Sequence, residues 1–330
     1  MTERVLITGG TGFIGHALVE RLSRREDTEV VAADLPAPVL PAGATEETRR
    51  IALLRRARVA DTAPVAELDV RDGDEVAALV AGFEPTVVVH LAAVAAATDA
   101  ARDEERARSV NVGGLVNVLR ALSGRPTRLV FISSSYVYGD FETDTPDERH
   151  PLRPRGAYGA TKFEGEQLVR TAGALDGLRS VIVRPSAAYG PFDSNRRVVQ
   201  TLIENHRQGG VSTVRGADGV LDFTYVADLA AGLELAAFQP SAVGRTFNLT
   251  TGKGRSLREL VDILRRHLPG LRVEEAPADA ERPRRGTLDI GHARMHLGFQ
   301  PAWDLESGVK SYLEFYDTVV DEGTRRRVTA

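Results

Sequence analysis

The chain opens on an aliphatic run, Val5-Leu6-Ile7, with no polar position inside it. Runs of the same kind recur at Val30–Ala33, Val87–Leu91, Leu129–Ile132 and Val181–Arg184, each bounded by turn or polar residues. Short runs that do not alternate with polar residues predict strands buried on both faces. Between them, helical spacing predicts helices near Gly12–Ser23, Asp74–Ala81, Glu104–Leu122 and Tyr158–Leu175. Strand alternating with helix predicts an α/β fold, a doubly wound parallel sheet covered by helices on both faces. No internal repeat is visible.

Two regions break the rhythm. From Leu35 to about Glu67, Pro36, Pro38, Pro41 and Pro64 surround an Arg-rich stretch, Arg49–Arg58. This predicts a surface excursion with one short helix, its arginines on a solvated face. After Arg184 the alternation loosens and Gly, Pro and Arg become frequent up to Asp222. A substrate-binding lobe is expected there, beyond the carboxyl ends of the strands.

Composition narrows the class. With 330 residues, 42% hydrophobic and 27% charged, the chain has the balance of a soluble globular protein. A net charge of −4 gives no basic surface for nucleic acid or an acidic membrane. Apolar runs such as Ala92–Ala97 are too short to span a bilayer. The absence of cysteine excludes disulfides, thiolate zinc sites and a cysteine nucleophile. Met1-Thr2-Glu3-Arg4 runs straight into a strand without a signal-like apolar region, so a cytoplasmic enzyme is expected. His90, His150 and His206 show no metal-ligand spacing, and no metal is expected. Trp303 and Phe299 are expected to fill the core of the small lobe.

The first candidate chemistry lies in Thr8-Gly9-Gly10-Thr11-Gly12-Phe13-Ile14-Gly15, which follows a strand and opens a helix. Gly9 permits a tight turn, Gly12 lets a pyrophosphate approach the backbone, and Gly15 allows close helix–sheet packing. Asp34 ends the next strand, 19 residues after Gly15. A carboxylate there accepts bonds from the adenosine ribose and repels a 2′-phosphate, which favours NAD over NADP. Asp69-Val70 closes another short strand, where it is placed to meet the adenine. A helix N-cap region before Asp74 is the other reading of that acid.

The second lies in Tyr158-Gly159-Ala160-Thr161-Lys162, which puts a phenol and an ammonium at i and i+4 on one helix face. The ammonium is expected to lower the phenol's pKa so that it acts as a general base toward a hydroxyl. Ser133-Ser134-Ser135 follows the strand Leu129–Ile132 and so lies at the same edge of the sheet.

On these residues the sequence resembles the extended short-chain dehydrogenase/reductase family, in its nucleotide-sugar epimerase/dehydratase branch. Further matches are His90-Leu91-Ala92-Ala93, Asn111, Val137-Tyr138-Gly139, Arg184-Pro185, Tyr189-Gly190-Pro191, the run Asp222 to Asp228, and Leu288-Asp289-Ile290. The resemblance implies a Rossmann domain over 1–184 with a return segment near 222–250, and a smaller mixed α/β lobe over 185–221 and 251–330. It implies catalytic roles for Ser134, Tyr158 and Lys162. Cofactor contacts are expected at Gly9, Gly12, Phe13, Ile14, Gly15, Asp34, Asp69, Val70, Leu91, Ala92, Ala93, Asn111, Ser133, Tyr158, Lys162 and Pro185. Pro185 would pack on the nicotinamide side, and Asn111 would organise the active-site helix. A homodimer built on the helices near Glu104–Leu122 and Tyr158–Leu175 is also implied.

Dehydratases of this branch follow the catalytic Thr with an Asp-Glu pair; here those positions are Ser135 and Tyr136. Decarboxylases of the family usually carry a Glu where Tyr136 stands. Neither residue can serve the elimination, which leaves oxidation and reduction at one carbon. The expected activity is therefore NAD-dependent epimerisation of a nucleotide sugar, most simply at C4 through a 4-keto intermediate. The alternative is net oxidation or reduction of a sugar, sugar acid or cyclitol. The Asn and Arg that often contact the diphosphate are replaced by Ala187 and Leu221. Arg215, Arg282, Arg284, Arg285 and Asn195 are the candidates to hold it, with Val94, Ser134, Ser135, Tyr136, Ala187 and Tyr225 expected around the sugar.

Overall fold

A computed structural model describes residues 2–280 and 282–321. Its main sheet has seven strands: β1 (Glu3–Thr8), β2 (Thr28–Asp34), β3 (Val65–Glu67), β4 (Val87–His90), β5 (Arg128–Ile132), β6 (Arg179–Pro185) and β7 (Thr246–Leu249). They lie in the order β7-β6-β5-β4-β1-β2-β3, and every pairing is parallel. Side chains alternate between two apolar clusters. Val5, Ile7, Val87, Val89, Val130 and Val181 enter one; Leu6, Val88, Leu129, Phe131 and Ile182 enter the other. Helices Phe13–Leu22 and Val226–Phe238 cover the first face, while Gly73–Phe83, Gly114–Leu122 and Gly156–Asp176 cover the second. Burial on both faces is why these strands carry unbroken aliphatic runs. The strand order reverses between β1 and β4, which opens a crevice at the carboxyl edge of the sheet.

A third apolar cluster lies beyond that edge. It is built from Tyr189, Phe192, Leu202, Ile203, Phe223, Leu260, Leu264, Val309 and Tyr312, with Trp303 half-buried against it. Phe299 is not part of it: it packs instead with Phe247 and Leu229 under the sheet, because helix Gly291–Leu297 returns to β7. Two buried aspartates tie the layers together. Asp222 accepts the N–H groups of Thr251, Gly252 and Leu288 and the hydroxyls of Thr250 and Thr251. Asp228 accepts the N–H groups of Ala302 and Trp303.

Two local features depart from the pattern read in the sequence. The excursion after β2 contains a helix of 17 residues, Glu46–Thr62, capped by the Thr45 hydroxyl. Its arginines are not all solvated: Arg55 is buried. The helix expected over Glu104–Leu122 is interrupted by a π turn at Ser109–Gly113, which carries Asn111.

One polar network is centred on a buried carboxylate, with only Arg170, which reaches Glu166 from the surface, partly exposed. Glu166, on the same helix as Tyr158 and Lys162, accepts two bonds from Arg184 of β6 at 2.7 and 2.6 Å and one from Ser133 at 2.6 Å. Arg184 also donates to Tyr138, whose hydroxyl donates to Asn248 of β7. Burial alone would raise the Glu166 carboxyl; Arg184, with Ser133 and Arg170, more than compensates and holds it below the usual carboxylate range. Removing one member of such a pair strands the other charge in a dry site. Glu166→Leu is therefore expected to destabilise the fold by about 3–5 kcal/mol, read as a fall in the urea midpoint.

Candidate active site

Four strand ends meet at the crevice: the glycine turn after β1, Leu91 after β4, the serines after β5 and the segment from Ser186 after β6. Gly9 has φ +71°, and a Cβ there would lie 2.7 Å from the backbone nitrogen of Ala92. A Cβ at Gly15 would meet the carbonyl of Gly9, so this glycine seats the helix on the turn itself. Helix Phe13–Leu22 has no side-chain cap and no acid in its first turn. Its first amides are thus left for an external acceptor. Asp34 accepts the N–H and hydroxyl of Thr11 at 3.0 and 2.7 Å and the N–H of Leu35 at 2.9 Å. A carboxylate has about four acceptor positions, so one remains for a ribose hydroxyl. The turn, the free amides and this acid fit a dinucleotide.

The remaining expected cofactor residues fall into several groups. Leu91, Ala92 and Ala93 form the half-exposed loop facing Gly9, and Pro185 ends β6 opposite Leu249. Asn111 binds both backbone groups of Val94 and donates to Thr161, whose hydroxyl donates to the Tyr158 carbonyl. Asp69 is held by Arg71 in a local ion pair that keeps its carboxyl below the usual range, and Asp72, not Asp69, caps the next helix. Val70 is buried in the core. The Ser133 hydroxyl is committed to Glu166.

At the carboxyl end of β5, Ser134 accepts the N–H of Tyr136 at 3.2 Å, and its hydroxyl faces the Tyr158 phenol closely enough to favour the phenolate. The surrounding protein pushes that phenol above its ordinary value; Ser134 and the charges of Arg197 and Arg285 pull it back. Lys162 does not supply this effect. Its Nζ donates to the Ile132 carbonyl at 2.8 Å, and burial lowers its pKa to about 8. Two of the three ammonium donors are still available. The Tyr136 ring stands edge-on to Tyr158 at 5.5 Å between centroids, and Arg285 lies over Tyr136 at 4.7 Å. Ser135 is fully buried, and its Oγ has no hydrogen-bond partner among the described residues.

The candidate substrate cations separate clearly. Arg285 faces the phenols and has no carboxylate partner among the described residues. Arg282 pairs with Asp279, Arg284 turns to the Phe141 carbonyl, and Arg215 is exposed on an outer strand. Asn195 folds back onto Asp193. Tyr225 is a core residue, its hydroxyl bonded to Ser311 and its ring against Trp303. Ala187 has φ +36° and accepts the N–H of Thr224. Sequence reasoning missed Arg197, whose guanidinium lies 5.4 Å from the Phe13 ring centre and whose charge reaches Tyr158. Its place beyond the Tyr-Gly-Pro turn, in the loosely patterned segment, was the available signal.

Two histidines border the site in neutral form. His90 bonds Thr8, and His16 lies against Phe192; burial lowers both to about 3 from an ordinary 6.5. The unfolded chain takes up protons on both below about pH 6.5, whereas the folded chain does not until about pH 3. Stability is therefore unaffected above neutrality and falls with pH across that window, by about 1.4 kcal/mol per pH unit for each histidine. Urea unfolding between pH 7 and 5 measures the slope, which His90→Gln is expected to flatten.

The model of the NAD dependent epimerase/dehydratase family matches residues 5–250. UDP-glucuronate 4-epimerase 1 of Arabidopsis thaliana is 30% identical over 354 residues, covering 98% of this chain and 79% of that protein. UDP-glucose 4-epimerase of Mycolicibacterium smegmatis is 31% identical over 327 residues, covering 95% of this chain and 98% of that protein. The structure of the Thermus thermophilus UDP-glucose 4-epimerase in complex with NAD superimposes with a TM-score of 0.81 at 28% identity, over 96% of this chain and 99% of the other. With three quarters of its length matched and the glycine turn, Asp34, Ser134 and Tyr158 gathered at one crevice, the chain belongs to the NAD dependent epimerase/dehydratase family.

Proposed function

We propose that the protein is an NAD-dependent nucleotide-sugar 4-epimerase with Tyr158 as its acid and base. The observation that carries this is the Tyr158 phenol facing the Ser134 hydroxyl at the carboxyl end of β5, with an aromatic ring, Tyr136, beside it. Oxidation at a carbinol needs a group that takes and returns one proton; elimination needs a second acid–base pair, and no carboxylate stands at 135 or 136.

Gly9, the first amides of helix Phe13–Leu22, Asp34 and Lys162 would hold NAD, which takes up a hydride from C4 and gives it back. Tyr158 removes the proton of the C4 hydroxyl, and Ser134 keeps that oxygen in line. Once the 4-ketose has turned its other face, the Tyr158 phenol returns the proton and Ser134 holds the developing alkoxide. A phenol pushed above its ordinary pKa is well suited to the returning step. For the forward step, the positive charges of Arg197 and Arg285 favour phenolate. The same two guanidiniums are the cations placed to meet an anionic substrate, whether through its diphosphate or through a sugar carboxylate. Both UDP-glucose and UDP-glucuronate, the sugars named for the relatives, are therefore the first to test.

Incubation of the purified protein with each, followed by NMR, should show interconversion of the C4 epimers without net NADH absorbance. Tyr158→Phe is expected to lower turnover by about 10²–10⁴-fold while NAD stays bound. Undiminished turnover in this variant would remove Tyr158 from the mechanism, and NADH formed one-for-one with product would make the protein a net oxidoreductase.

A further inference from the structure

Arg55 is a buried cation that forms no ion pair among the described residues. Only 6% exposed, it reaches out of helix Glu46–Thr62 into the junction between the glycine turn and the segment after β6. Its Nε donates to the Thr11 carbonyl at 2.7 Å; its Nη1 donates to the Phe192 carbonyl and the Ser194 hydroxyl, both at 2.8 Å. A guanidinium in such a place is tolerated because these fixed acceptors replace its water.

Both ends of the bridge lead to the site. On one side, the N–H and hydroxyl of Thr11 are held by Asp34, so the residue that accepts from Arg55 is also the partner of the ribose-facing acid. On the other, Phe192 and Ser194 flank Asp193, whose Oδ1 receives the Asn195 amides and Arg197. Arg197 in turn covers Phe13, the first residue of the helix after the glycine turn. Phe192 has φ +65° and Arg196 φ +53°, conformations that L residues seldom hold without outside support. The Arg55 bond to the Phe192 carbonyl is such a support, and it comes from the cofactor side of the crevice.

We propose that Arg55 is a positioning residue that couples the dinucleotide turn to residues 192–197, so that the segment carrying Arg197 takes its substrate-binding form when the turn is occupied. The inference rests on the epimerase reading for its kinetic consequence but not for its structural one. Arg55→Met removes the bridge. Arg55→Lys keeps the charge but cannot reach both sides at once. Ser194→Ala removes a single acceptor and serves if the first variant does not fold.

The structural readout is amide hydrogen exchange with and without NAD. In the wild type, NAD should slow exchange at both 9–15 and 192–197. In Arg55→Met the slowing at 9–15 should persist while that at 192–197 is lost, and Ser194→Ala should weaken it. The kinetic readout is a rise of about tenfold in KM for the nucleotide sugar with kcat within about threefold, in both Arg55→Met and Arg55→Lys. A segment 192–197 that ignores NAD in the wild type, or responds equally in the variants, overturns the coupling. Failure of every nucleotide sugar as substrate overturns the epimerase reading and leaves the exchange test decisive for Arg55.

Discussion

Glu166 has no access to water, and three hydrogen bonds from two strand ends converge on it, two from Arg184 and one from Ser133. Its helix presents Tyr158, Lys162 and Glu166 at intervals of four residues, hence on one face. Once Glu166 is locked to Arg184 of β6 and Ser133 at the end of β5, the rotation and height of that face are fixed relative to the sheet. Ser134 is then brought against the phenol, and Lys162 lies over the last carbonyl of β5. Arg184 extends the lock through Tyr138 to Asn248 on β7, the last strand to join. The geometry of the candidate site is thus a consequence of one buried charge pair whose remaining donors and acceptors reach β5, β7 and the loops between them.

The electrostatics of the pair differ from what i, i+4 spacing suggests. Lys162 is spaced to support a phenolate, yet it is committed to a backbone carbonyl and loses its own proton near pH 8. The charges felt by the phenol come instead from Arg197 and Arg285, on segments far away in sequence. Acid strength at Tyr158 is set first by burial and by Ser134, and is then adjusted by these cations of the outer lobe. On the proposed reading, chemistry and substrate seating would share these cations, and a substrate anion that engaged them would change the phenol it is presented to.

The parts of this architecture legible in the sequence are those whose cause is local. A fully buried strand shows as an aliphatic run, and a glycine turn followed by an acid shows as spacing. The five inner strands, the turn with Asp34, and the i, i+4 phenol and ammonium are of this kind. Arg55 was not legible, because nothing within a helical turn of it explains its burial; its acceptors lie 44, 137 and 139 residues away. For the same reason the Asp222–Asp228 run showed a likeness without a role, since the amides it holds belong to residues 251–252, 288 and 302–303. Phe299 was assigned to the wrong core because the return of its helix to β7 has no signature in the adjacent residues.

Tyr136 ties the proposed reaction type to its surroundings. Its ring packs against the catalytic phenol on one side and offers a π-face to Arg285 on the other. A carboxylate in its place would meet a guanidinium that has no other anionic partner among the described residues, and would pair with it. Such a glutamate would be ionised and occupied by the guanidinium, and with Ser135 beside it the acid partner of an elimination would still be missing. On the proposed reading, position 136 thus acts together with Arg285 and not as one side chain alone. Arg285 is also the cation which that reading leaves to an anionic substrate, so reaction type and substrate charge would meet at the same contact.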